Sequence, residues 1–67
     1  MSVARVTEIT SSSKQSFEDA IKLGIYRACK TLKNVQGAWV QEQTITIEND
    51  AIATYRVNMK VTFVLDD

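Results

Sequence analysis

Near the C-terminus, Ala53 to Leu65 reads ATYRVNMKVTFVL. Tyr55, Val57, Met59, Val61, Phe63 and Leu65 alternate with Thr54, Arg56, Asn58, Lys60, Thr62 and Val64. A period of two sustained this far defines a strand with one face toward a core and the other mostly polar. At about 3.3 Å per residue such a strand spans roughly 43 Å. Whatever fold the chain adopts must cover that apolar face.

Only one other segment is built to do so. From Phe17 to about Lys33 the apolar period is helical, with Phe17, Ala20, Ile21, Gly24, Ala28 and Leu32 on one stripe. Ser16 is a natural N-cap, and Asp19 three residues on makes a weak form of the capping box. Glu18 and Asp19 near the helix start and Arg27, Lys30 and Lys33 toward its end match the macrodipole and require no ligand. Gly24 lies on the packing stripe, where it either admits a close approach to a sheet or is a tolerated defect. Seventeen helical residues reach roughly 26 Å, well short of the strand.

Val3 to Thr10, rich in Val, Ile and Thr, reads as a first strand and SSSKQ as a polar loop. A further strand runs from about Gln36 to Glu48, and Asn49-Asp50 reads as a tight hairpin turn. The order is β-α-β-β in a single domain, residues 1–67. The crossover helix brings the second strand back parallel to the first, and the hairpin reverses the third. An antiparallel sheet then has the order 1-3-2, wrapped on one helix, an α+β architecture.

A chain of 67 residues buries only about 60% of its unfolded surface. Domains this small usually carry disulfides, a structural metal or a subunit interface. Cys29 is the single cysteine and there is no histidine, which excludes an intrachain disulfide and a Cys/His zinc site. With the uncovered strand, this points to an oligomer. Eight basic and eight acidic residues balance, unlike a phosphate-backbone binder. Apolar runs are too short for a membrane span and the N-terminus lacks a signal-peptide core, so a cytoplasmic, soluble protein is expected.

The usual catalytic pairings are missing. No histidine stands by to activate Cys29 or a serine, and two glycines make no phosphate loop. Cys29, beside the apolar stripe, is expected to be a small buried hydrophobe. Glu8, Glu42, Asp66 and Asp67 are expected as solvated carboxylates, the other reading being a hard-cation site assembled in an oligomer. We therefore expect no enzyme and no metal site.

The only tryptophan sits in NVQGAWVQEQ. A two-residue turn at Asn49-Asp50 pairs Gln43 with Arg56, Gln41 with Asn58, Trp39 with Lys60 and Gly37 with Thr62. All of these share the face away from the helix. Trp39 there is a partner contact or a platform for a flat ligand, the bland reading being an exposed indole shielded by Lys60. In the same register Ile45, Ile47 and Ile52 fall on that face near the hairpin tip. With Trp39 they suggest a subunit contact.

Across nearly its whole length the chain resembles the dodecin family. VTEITSSSKQSFEDAI leads into the helix, ACKTLKNV closes it, and TYRVNMKVTFVLDD ends the chain. The resemblance implies a hollow homododecamer that binds flavin, riboflavin or FMN, without catalysis, for storage or buffering. In that family flavins stack in pairs between tryptophans of different subunits, and a last-strand glutamine bonds the ring edge. Ungapped alignment puts the stacking position at Gly37 and the glutamine position at Arg56, with Trp39 two residues beyond the usual platform. Trp39, Arg56, Gly37 and Gln43 are thus the candidate ligand contacts, with flavin binding expected to be altered or weak. A shell that binds ions, or serves structure alone, is the alternative.

Overall fold

The computed structural model describes residues 3–65. Strand β1 (Ala4–Ser13), helix α1 (Phe17–Thr31), strand β2 (Val35–Glu48) and strand β3 (Ala51–Val64) follow in that order. Both neighbours of β3 run antiparallel to it, and the sheet order is β1-β3-β2. The alternating strand is central, as its pattern requires.

β1 extends three residues past its expected end. Ser11, Ser12 and Ser13 pair with Val57, Arg56 and Tyr55, because β3 supplies a ladder that outweighs serine's preference for turns. Ser13 is buried, and its hydroxyl donates to the Asp19 carboxylate at 2.6 Å while accepting the Gln15 amide at 2.9 Å. The Ser16 hydroxyl caps the helix by accepting the Asp19 amide at 3.0 Å. Asp19 therefore does not close the box onto Ser16; its side chain clamps the end of β1. The helix stops at Thr31, short of Lys33. Leu32 is extended and Asn34 has φ 60°, a left-handed conformation asparagine tolerates well.

One seam of small residues, Ala20, Gly24 and Ala28, carries the helix onto β1 and β3. A Cβ on Gly24 would lie 2.6 Å from Met59 Cε and 3.0 Å from Ser11 Cβ, so the close approach depends on glycine. Beneath it Val57, Met59 and Val61 are wholly buried, each contributing about 1.5–3 kcal/mol of transfer free energy. Ile9, Phe17, Ile21 and Ile25 pack round this centre, with Phe17 edge-on to Tyr55 at 5.1 Å between ring centroids.

The described chain is 51 × 19 × 13 Å. Since Phe17 meets Tyr55 at the start of the helix, the β2–β3 hairpin beyond Tyr55 overhangs it. Asn49 and Asp50 at the tip have φ 52° and 64°, the two left-handed residues of a type I′ turn.

The pairing of β2 with β3 departs from a plain hairpin. At the tip Glu48 faces Ala51, and at the far end Trp39 faces Lys60 and Gly37 faces Thr62, as the two-residue turn dictates. Between these ends the register moves by one residue. β3 has an extra residue, Ala53, between Ile52 and Thr54, and β2 has one, Gln41, between Val40 and Glu42. The two bulges cancel.

Candidate functional site

Those bulges decide which side chains meet. Directly opposed residues share a sheet face. Trp39 and Gly37 lie with Lys60 and Thr62 on the face turned from the helix, as the sequence implies. Gln43 does not face Arg56: it faces Val57, on the helix side. Gln41 is the bulge and does not face Asn58; Arg56 faces Thr44, and Asn58 faces Glu42. The expected ligand group of Trp39, Arg56, Gly37 and Gln43 is therefore split, with Gln43 across the sheet from the other three.

The isoleucines are corrected in the same way. Ile45 faces Tyr55 and Ile47 faces Ile52, which places all three on the helix side of the sheet and not with Trp39. They are nevertheless exposed, Ile47 at 64% and Ile52 at 51%, because the hairpin runs past the helix start. Cys29 is exposed as well, contrary to its expected burial. Ala28, the next residue back, holds the packing seam, which turns Cys29 aside. The thiol borders an open groove of about 430 Å³ between the helix and β2, lined by Ile21, Ile25, Val35, Val40 and Met59 and reaching Gly37 and Trp39 at the β2 edge. This groove exists because the helix covers β1 and β3 and leaves β2 bare.

The face turned from the helix is a set of cross-strand rows. Ser12, Arg56 and Thr44 form one; Thr10, Asn58 and Glu42 the next; Glu8, Lys60 and Trp39 the third; Val6, Thr62 and Gly37 the last. The Asn58 amide donates to Thr10 Oγ1 at 3.0 Å. A shallow depression of about 270 Å³ is lined by Thr10, Glu42, Thr44, Arg56 and Asn58. Trp39 is 50% exposed and offers an indole face at one end of this strip. A Cβ at Gly37 would meet nothing within 4 Å, so the space beside Trp39 is open. A flat aromatic ring on Trp39, with polar substituents along the rows, fits these residues; Arg56 donates hydrogen bonds but accepts none. Among the described residues no group of three or more His, Cys, Asp or Glu side chains is placed to hold a metal. Of the expected carboxylates, Glu8 and Glu42 share this face, while Asp66 and Asp67 lie outside the described residues.

A long sheet curled on one helix, with an unprotected edge strand and an exposed indole over a polar strip, defines a small β-α-β-β binding module. A family model described as Dodecin matches residues 3–66. The chain belongs to the dodecin family.

Solved structures agree. A dodecin from Streptomyces davaonensis superposes with a TM-score of 0.94 at 38% identity, covering 98% of this chain and 97% of that one. A single-substitution variant of Thermus thermophilus dodecin gives 0.94 at 30% identity, with both chains covered in full. The calcium dodecin of Mycobacterium tuberculosis is 32% identical over 63 residues, covering 94% of this chain and 89% of the relative. The solved calcium dodecin carries a described calcium-binding site and matches with a TM-score of 0.84. No helix among the described residues is long and apolar enough to cross a membrane.

Proposed function

We propose that this chain is a non-catalytic, self-assembling small-molecule binder of dodecin type. It forms a hollow homododecamer and takes flavin, riboflavin or FMN, as its leading ligand. The observation carrying this reading is β2. Apart from Val35 and Thr46 the whole strand is exposed, and Trp39 stands on it beside Lys60 on the face turned from the helix. A strand this bare is a surface for a second copy, and an indole at its middle is a surface for a flat ring. Bound flavin would be held by stacking and hydrogen bonds and stored unchanged. Binding is weak because Gly37 provides no second aromatic wall.

Light scattering and flavin fluorescence test the two halves. The purified protein should have the mass of about twelve chains, and riboflavin should lose fluorescence on stacking with Trp39. Trp39→Ala should abolish the quenching. A stable folded monomer, or quenching that survives Trp39→Ala, would overturn the respective half.

A second reading has its own motive in the calcium dodecin relative. Glu8 and Glu42 on one sheet face give a shell that holds a hard cation in place of flavin. Calcium titration by calorimetry, with no response to flavin, would favour it.

A further inference from the structure

We infer that the outward face of α1 is a docking surface for an anionic lipid bilayer: Arg27, Lys30 and Lys33 meet acidic headgroups, and Leu23 and Tyr26 enter the interface between them. The inference goes beyond small-molecule binding and uses none of the residues of the polar strip.

Charge placement is the first argument. The chain is neutral, yet four of its eight basic residues, Lys22, Arg27, Lys30 and Lys33, fall between Ala20 and Gln41, a stretch with no Asp or Glu. All four are exposed. Lys22 is paired with Glu18 at 3.2 Å, and among the described residues no ion pair engages the other three. The remaining described acids lie elsewhere. Asp19 holds Ser13, Glu8 and Glu42 are on the sheet face turned from the helix, and Glu48 and Asp50 stand at the hairpin tip, past the start of the helix. Arg5, exposed and opposite Phe63, adds a further cation on the helix side of β1.

The apolar residues among these cations are the second argument. Ala20, Gly24 and Ala28 seat the helix, so the row of Lys22, Tyr26 and Lys30, at i, i+4 spacing, points the opposite way. Tyr26 is 64% exposed and Leu23 49%. Lys30 Nζ lies 4.5 Å from the centre of the Tyr26 ring, so cation and ring form one surface unit. The macrodipole accounts for cations near a helix end. It does not account for a leucine and a tyrosine left in water among them. Such a mixture is the makeup of a surface that settles at headgroup depth.

The groove beside this face decides the class of partner. About 410 Å³ opens toward β1, with Ile9, Leu23, Ala28 and Leu32 along it and Arg27 and Thr31 also lining it. A bilayer supplies both a phosphodiester and an apolar chain to such a site. A nucleic-acid backbone supplies only the first. Each cation near an anionic leaflet is worth about fivefold in affinity, so one patch binds weakly. On the assembly proposed above several patches face one bilayer and reinforce each other, and only this reinforcement rests on that assembly.

Flotation of the intact protein with phosphatidylcholine vesicles, with and without phosphatidylserine, tests the inference. The protein should float with the mixed vesicles and not with phosphatidylcholine alone, and less of it should float as salt rises. The triple variant Arg27→Gln, Lys30→Gln, Lys33→Gln should lose about a hundredfold or more in apparent affinity. Leu23→Ser with Tyr26→Ser should weaken binding severalfold and keep its salt dependence. Circular dichroism and light scattering on each variant show that fold and mass are unchanged; because mass is read separately, a failure of assembly and a failure of docking are told apart. No flotation with the mixed vesicles overturns the inference, as does flotation that survives the triple substitution. Tighter binding to polyuridylate or polyglutamate than to the mixed vesicles also overturns it, and makes the face a site for soluble polyanions.

Discussion

Gly24 shows at the scale of one residue how backbone and core are coupled. Its missing side chain is filled by Met59 Cε and Ser11 Cβ. Gly24→Ala gains helix propensity but must displace the buried methionine tip and crowd the Ser11 side chain. The expected net result is a loss of about 1–3 kcal/mol, measurable by denaturant titration. Gly37 is the reverse case. With open space at its Cβ, Gly37→Trp should fold normally and add a stacking wall next to Trp39. Riboflavin affinity should rise severalfold, from about 0.5–1.5 kcal/mol of aromatic contact, in a fluorescence titration. The sequence pointed to Gly24 because it interrupts an apolar stripe. It misplaced Cys29, because a residue beside such a stripe can turn either way and only the neighbouring seam settles which. Ser13 was missed altogether: nothing in SSSKQ distinguishes a buried clamp on Asp19 from a polar loop.

Among the elements, the alternating third strand and the helical period were enough to place the sheet order and the crossover. Strand ends were less legible, since pairing with β3 draws Ser11–Ser13 into β1. Register was legible only at its ends, where turn geometry fixes it. No residue type announces Gln41 or Ala53 as a bulge, and so the partners of Gln43 and Arg56 were misjudged. The turn between them offers a direct test. Asp50 adopts φ 64° at a position where glycine is favoured in type I′ turns. Asp50→Gly should therefore stabilise the hairpin by up to about 1 kcal/mol, read as slower amide exchange at the tip.

For the whole molecule the governing fact is a sheet longer than its helix. The exposed isoleucines of the overhang and the bare β2 leave a single chain with too little covered apolar surface for lasting stability. Assembly and folding should thus be one transition. Loss of the high-mass species and loss of circular dichroism should coincide in guanidinium, with a midpoint that rises with protein concentration. A compact monomer persisting after dissociation would show that the chain holds its fold alone.

The two bulges also set where β2 and β3 can change length. Gln41 and Ala53 have no residue opposite them, so deleting either leaves every ladder pair from Gly37–Thr62 to Glu48–Ala51 in place and only straightens the strand locally. Deleting the paired Thr44 instead draws Gln43 opposite Arg56 and Glu42 opposite Val57, which turns a carboxylate to the helix side. Thermal melts should therefore find either bulge deletion close to wild type and the Thr44 deletion strongly destabilised. Length in these strands is negotiable only at the residues the ladder leaves unmatched.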